Sequence, residues 1–166
     1  MTDDRSAQAS TLSGLSALAR RAAEARKSER QALEEREVAV VAAVRAGARL
    51  DEIGKAAGVT KAAVSAIARR TLAARPGRGG PYSRRRGFEG ALSEVGRAAS
   101  RAVAASRSRR LAIDERDKAI LAAVDEGIAV RTIAEAVGMG TKVVRTLIRR
   151  RREKATSPLS GAVASL

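Results

Sequence analysis

Clusters of arginine and lysine are the residues of this sequence whose type and spacing indicate chemistry. The 166 residues include 33 Lys or Arg against 18 Asp or Glu, which gives a formal net charge of +15. The basic residues are densest at Arg69–Arg70, Arg84–Arg86 and Arg149–Arg152. Guanidinium and ammonium groups bind phosphate oxygens, and a surplus of this size attracts polyanions, chiefly nucleic acid. The composition therefore predicts a polyanionic partner.

The absence of histidine and cysteine excludes several other kinds of chemistry. Zinc fingers, iron–sulfur sites, thiol catalysis and histidine acid–base catalysis all need those side chains. The carboxylates near Glu34 and Asp114 have no recognisable catalytic companion, and we interpret them as intramolecular partners of Arg36 and Arg116. We therefore expect no enzymatic activity, no metal and no cofactor. No apolar run approaches the roughly 18 residues that span a bilayer, so we expect a cytoplasmic, nucleoid-associated protein with no membrane partner.

An internal repeat organises the elements that must position the basic residues. A shift of 80 aligns residues 12–70 with 92–150 without a gap, and 22 of the 59 aligned pairs are identical. The identical pairs include Gly47/Gly127, Gly58/Gly138 and Ile53/Ile133, which lie where turns and a core position are expected. Because shared Ala and Arg content would not keep such residues in register, we interpret the pattern as a duplication.

The repeat divides the chain into five predicted segments. Two helical units, repeat one (12–74) and repeat two (91–154), carry net charges of +5 and +7. Residues 75–90 between them carry +4 and contain seven Gly or Pro, as is typical of a flexible linker. We expect disordered tails at 1–11 and 155–166. The linker arginines expected to bind phosphate are Arg78, Arg84, Arg85 and Arg86.

Each repeat is predicted to be all-α, with one long helix followed by two short ones. Helix-forming residues run without Gly or Pro over 15–46 and 97–126, although a polar stretch in the middle of each run leaves a bend or a break open. An Ala-rich stripe marks the start of each run, at Leu12, Leu15, Ala19 and Ala22 and at Leu92, Val95, Ala99 and Ala102. Such stripes must be buried, either within one chain or in a homo-oligomer.

The short helices follow a specific pattern. From Leu50, apolar residues occupy the fourth, eighth, tenth, fifteenth and eighteenth positions, with small Gly54 at the fifth and Gly58 at the ninth. From Val130, repeat two has the same pattern, with Ala134 and Gly138. The fifth position lies where two helices cross, and the ninth needs a left-handed backbone. This pattern resembles the DNA-binding helix-turn-helix segments of bacterial and phage regulators, resolvases and transposase arms.

The resemblance implies which residues face DNA. In this motif the second short helix enters the major groove and its N-terminal residues contact base edges. The residues turned toward the groove are Lys61, Ala62, Ser65 and Ala66 in repeat one, and Thr141, Lys142, Arg145 and Thr146 in repeat two. Thr60 is expected to cap its helix and contact phosphate, and phosphate contact is also expected of the arginines at the far ends of the two helices, Arg69, Arg70, Arg149 and Arg150. Lys142 and Arg145 suit guanine and the methyl group of Thr146 suits thymine, so repeat two is expected to carry more of the specificity.

These observations predict a sequence-specific, double-stranded DNA-binding protein, with two modules in one chain acting as a pseudo-dimer. A transcriptional regulator or repressor, or a site-binding protein of a bacterium, phage or plasmid, would use such a design. The alternative is an oligomeric nucleoid-associated, partition or DNA-packaging protein that binds DNA largely without sequence preference.

Overall fold

Six helices make up the part of the chain that the structure describes. The computed structural model describes residues 2–72 and 88–156, and within these ranges it contains no strand. The helices are α1 (Thr2–Arg45), α2 (Leu50–Ala57), α3 (Lys61–Leu72), α4 (Phe88–Asp125), α5 (Val130–Val137) and α6 (Thr141–Thr156). The chain is therefore all-α over its described residues, as the composition predicts.

Both long helices are continuous and begin earlier than expected. α1 begins at Thr2, so the prediction of a disordered tail over residues 1–11 is wrong from Thr2 onward. This segment contains no Gly or Pro, and Thr11 Oγ1 donates a hydrogen bond to Glu126 Oε2 at 3.3 Å. α4 begins at Phe88, which makes the last three residues of the predicted linker helical. The polar stretch in the middle of each helix, where a bend or a break was open, does not break either one.

Glycines with positive φ end four of the helices. Gly47 (φ 85°) follows α1 and Gly127 (φ 83°) follows α4, while Gly58 (φ 64°) and Gly138 (φ 63°) follow α2 and α5. At each of these ends the glycine N–H and the next N–H bond back to carbonyls of the last turn, for example Val59 N to Gly54 O at 3.0 Å. Without a Cβ, glycine enters this left-handed conformation at little cost. The predicted turn positions are confirmed.

The contacts divide the chain into two compact units that differ from the predicted segments. Unit 1 contains the chain up to Glu24 together with the chain from Arg110 onward, and unit 2 contains 25–109. The first half of α1 therefore belongs with α5 and α6, and the first half of α4 belongs with α2 and α3. In each unit, a short helix pair packs with a long-helix segment from the other sequence repeat.

The core of unit 1 shows this exchange directly. Leu15, from α1, is 2 % exposed and packs with Ile120, Ile133 and Val144, which are fully buried. Ser16 Oγ donates a hydrogen bond to the carbonyl of Ala136 in α5 at 2.9 Å. An unbroken α1 cannot fold back on itself, so its first half cannot reach the short helices that follow its own last turn. It packs instead on the short helices of repeat two.

Unit 2 has the corresponding core. Val95, from α4, is fully buried with Val40, Ile53 and Val64, and Phe88 packs against the same cluster. The Ala-rich stripes at the starts of both long helices are thus buried or half-buried inside the units, so they do not require a second chain to cover them. No helix in the described ranges is long and apolar enough to cross a membrane.

Candidate nucleic-acid interface

The outer surface of α6 carries the cations that the sequence predicts. Val144 is fully buried in the core of unit 1 and fixes which side of the helix faces inward. Lys142, Arg145 and Arg149 are exposed on the other side and, with half-buried Thr146, line a shallow groove. Lys142 and Arg145 have no carboxylate partner among the described residues, so both charges are available to a ligand.

The outer surface of α3 is smaller and less charged. Lys61, Ala62 and Ala66 are exposed, and Ser65 is half-buried, beside a core anchored by fully buried Val64. Only Lys61 extends a free cation from the first turn of this helix. The exposures therefore agree with the expectation that α6 offers more free cations than α3. The role of these residues in binding stays a prediction.

The two helices also start differently. Thr60 Oγ1 accepts a hydrogen bond from the N–H of Ala63 at 3.2 Å and so caps α3. Repeat two has Gly140 at the equivalent position, where no side chain can cap. The carbonyl of Gly140 accepts from Val143 N at 2.8 Å and Val144 N at 3.1 Å. Thr141, in the first turn of α6, is half-buried. The residue before α6 therefore presents no side chain, whereas the residue before α3 presents a threonine that caps the helix.

Gly54 sets how closely α2 approaches α3. A Cβ placed on Gly54 would lie 2.9 Å from the carbonyl oxygen of Val59, closer than side chains approach backbone in folded proteins. The short distance agrees with the prediction that Gly54 lies where α2 and α3 cross. The close approach holds the first turn of α3, including Lys61, at a set position relative to α2.

Several arginines near the C-terminal ends of α3 and α6 form intramolecular ion pairs. Arg70 Nη2 lies 2.6 Å from Glu37 Oε2; the Arg70 side chain is largely exposed and that of Glu37 is partly exposed. Arg151 contacts both Asp114 at 3.0 Å and Asp117 at 3.2 Å. Arg69 and Arg150 are exposed, and Arg150 has no ion-pair partner among the described residues. Phosphate would therefore have to compete with Glu37 for Arg70, whereas Arg150 is free.

The ion pairs between α4 and the C-terminal half of α6 form a partly buried network. Arg116 and Asp117 are each only 6 % exposed, and Arg116 Nη2 lies 2.6 Å from Asp117 Oδ1. The hydrogen bond from Lys118 holds the pKa of the Asp114 carboxyl below its ordinary value, and Arg151 adds to that effect. The hydrogen bond to Asp117 raises the pKa of Arg151. This network joins α4 to the C-terminal half of α6 and so orients the helix that carries Arg145.

The prediction that Arg36 pairs with the carboxylates beside it in the sequence is wrong. Its Nε is buried without a hydrogen-bond partner, whereas the neighbouring carboxylates pair with arginines elsewhere in their units. Glu35 pairs with Arg101 in unit 2, and its repeat equivalent Glu115 pairs with Arg21 in unit 1. The prediction for Arg116 agrees with its contact to Asp117. Sequence proximity favours pairing along one helix, but the long helices supply closer partners from a different element.

Sequence reasoning missed Val143. This side chain is 53 % exposed in the first turn of α6, beside fully buried Val144. The signal was available, because two consecutive valines in a helix point about 100° apart and one core position leaves the other outside. The predicted linker contacts at Arg78 and Arg84–Arg86 lie outside the described residues.

The chain matches no protein-family model, no curated protein and no solved structure. Within the described ranges, no group of three or more acidic, His or Cys side chains is arranged to hold a metal ion. The functional argument therefore depends on the geometry and charge of the helix pairs alone.

Proposed function

We propose that this protein binds double-stranded DNA in a sequence-specific manner, through two helix-turn-helix modules formed by α2–α3 and α5–α6. The observation that carries the proposal is the outer surface of α6, where Lys142 and Arg145 are exposed and unpaired directly after a tight glycine turn. A helix of this width fits the major groove of B-form DNA, and Arg and Lys pair with guanine O6 and N7.

In this proposal the chain is a duplicated unit, so one molecule supplies the two modules that regulators commonly obtain by dimerisation. Once the first module binds, the second is held at a high effective concentration near the adjacent DNA. The two outer surfaces differ in charge, so the two half-sites differ, and α6 carries more of the base recognition. The task that suits this design is transcriptional regulation or the marking of a defined site.

The net charge of +15 supports a strong electrostatic contribution from phosphate contacts. Such contacts release condensed counterions, so the affinity falls steeply with salt. Base contacts then add discrimination on top of this sequence-independent attraction.

The test is selection of duplexes from random DNA with the full-length chain, followed by measurement of affinity for the selected and a scrambled duplex at the same salt concentration. We expect the selected duplex to bind at least about a thousandfold more tightly. A ratio near one would contradict the proposal and would leave DNA coating without sequence preference as the function.

A further inference from the structure

We propose that Val143, together with Thr146, reads the methyl group of a thymine in the major groove. This inference rests on the DNA-binding function proposed above and assigns a base to one part of α6. It begins from an apolar side chain that is 53 % exposed in the first turn of α6, next to the groove that Thr146 lines.

Burial in the core does not explain the valine. Val144, the next residue, fills the core position and is fully buried, which directs Val143 away from it. Valine is also a poorer helix former than alanine, so an exposed valine in the first turn does not improve the stability of α6. Repeat one has the smaller Ala63 at the equivalent position, where it is half-buried.

The start of α6 leaves Val143 accessible. Val143 Cγ2 is 3.9 Å from the point that a Cβ on Gly140 would occupy, so the absent side chain of Gly140 leaves this methyl group uncovered. In repeat one the same place is taken by Thr60, whose hydroxyl caps the helix. The Val143 methyl group is therefore open to a base edge from the side of Gly140.

Thr146 presents the second apolar group. It lies one turn after Val143, and its hydroxyl donates to the carbonyl of Lys142 at 2.9 Å. Since the hydroxyl is engaged by the helix, the methyl group is the part of Thr146 left for another contact. Residues three apart share one side of a helix, so the two side chains form one small apolar patch. Lys142, four residues before Thr146, is the adjacent cation.

Thymine is the base that this patch fits. Its C5 methyl group is the apolar feature of the base edges in the major groove, and small apolar side chains recognise it by direct contact. Lys142 and Arg145 attract the duplex but cannot distinguish thymine from a base that lacks the methyl group.

The experiment uses the full-length chain and the duplex selected from random DNA. Each thymine of that duplex is replaced, one at a time, by deoxyuridine, which removes the methyl group and keeps base pairing. We expect one or two replacements to weaken binding about fourfold, in line with the burial of one methyl group. Val143→Ala should weaken binding to the thymine duplex by a similar factor and should lose most of its sensitivity to those replacements.

Two further variants define the contact. Thr146→Ser keeps the hydroxyl and removes the methyl group, and we expect it to lower the same thymine sensitivity. Leu111→Ala is the matched control, because Leu111 is 64 % exposed in the same unit but lies on α4. It should leave both affinities unchanged, and equal melting temperatures should show that none of the variants unfolds.

The inference is overturned if Val143→Ala keeps the full sensitivity to deoxyuridine, or if the selected site contains no thymine whose replacement matters. In either case, retained preference for the selected duplex over scrambled DNA would leave the proposed function intact. A chain with no such preference would overturn both.

Discussion

At the scale of the residue, the surfaces of α3 and α6 differ in which cations are free. Lys142, Arg145 and Arg150 have no ion-pair partner among the described residues, whereas Arg70 pairs with Glu37 and Arg151 with Asp114 and Asp117. A free guanidinium is available to a base or phosphate, while a paired one must first exchange its carboxylate. The individual role of an arginine therefore depends on its neighbours as much as on its place in a motif.

Arg145 and Arg149 lie four residues apart on α6 and should respond differently to truncation. We expect Arg145→Ala to cost about 1–3 kcal/mol on the selected duplex and to relax preference at one base position, because it removes a base contact. Arg149→Ala should weaken binding to all duplexes alike and reduce the salt dependence by about one counterion. Titrations against selected and scrambled duplexes at several salt concentrations separate the two, and uniform losses for both variants would refute this assignment of the base-reading surface.

Asp117 and Glu37 are equivalent in the sequence repeat but differ in burial. Asp117 pairs with Arg116 in a site where both residues are 6 % exposed, so Asp117→Asn leaves a buried guanidinium charge without its partner. We expect a loss of about 3 kcal/mol in the free energy of unfolding. Glu37→Gln breaks an exposed pair with Arg70 and should cost less than about 1 kcal/mol. Urea unfolding of both variants provides the measurement, and equal losses would contradict the role assigned to burial.

At the scale of the element, glycines in the left-handed conformation decide where helices end. Gly58 and Gly138 hold nearly the same φ, 64° and 63°, and each precedes the helix that carries the candidate interface. The direction of α3 and α6 therefore depends on a backbone conformation that other residues adopt only at a cost.

Gly58→Val should destabilise unit 2 by at least about 1–2 kcal/mol, because a β-branched residue strongly disfavours positive φ. Nothing lies within 4 Å of a Cβ at this position, so backbone strain and not a steric clash is the cause. Gly14→Val is the control, since Gly14 also has open space around it but lies inside α1. Thermal melts should show a lower midpoint for the first variant alone, and equal midpoints would argue against strain at the turn.

At the scale of the whole molecule, the packing pairs each short helix pair with a long-helix segment from the other sequence repeat. Leu15 of α1 contributes to the core of unit 1, and its repeat equivalent, Val95 of α4, contributes to the core of unit 2. Neither predicted segment, 12–74 or 91–154, contains the whole core of one unit.

Leu15→Ala tests this exchange in the intact chain. We expect it to lower the stability of unit 1 by about 2–5 kcal/mol and to increase amide hydrogen exchange in α5 and α6, while α2 and α3 keep their protection. Val95→Ala should produce the opposite pattern, with a loss of about 2 kcal/mol in unit 2. If Leu15→Ala instead exposes α2 and α3, each repeat packs on its own long helix.

Local patterns in the sequence by themselves determined the helices, the glycine turns and the exposed cations of α3 and α6. These features depend on neighbouring residues: an unbroken run of helix formers, a glycine where φ turns positive, and a 3.6-residue period that divides the buried from the exposed side. Local patterns did not determine which short helix pair each apolar stripe packs against, because Leu15 and Val95 offer similar surfaces to either pair. Only the tertiary structure decided that choice, since an unbroken long helix cannot return to its own repeat. The ion-pair partners of Glu35 and Glu115 depend on the same packing, because those contacts join residues that are distant along the chain.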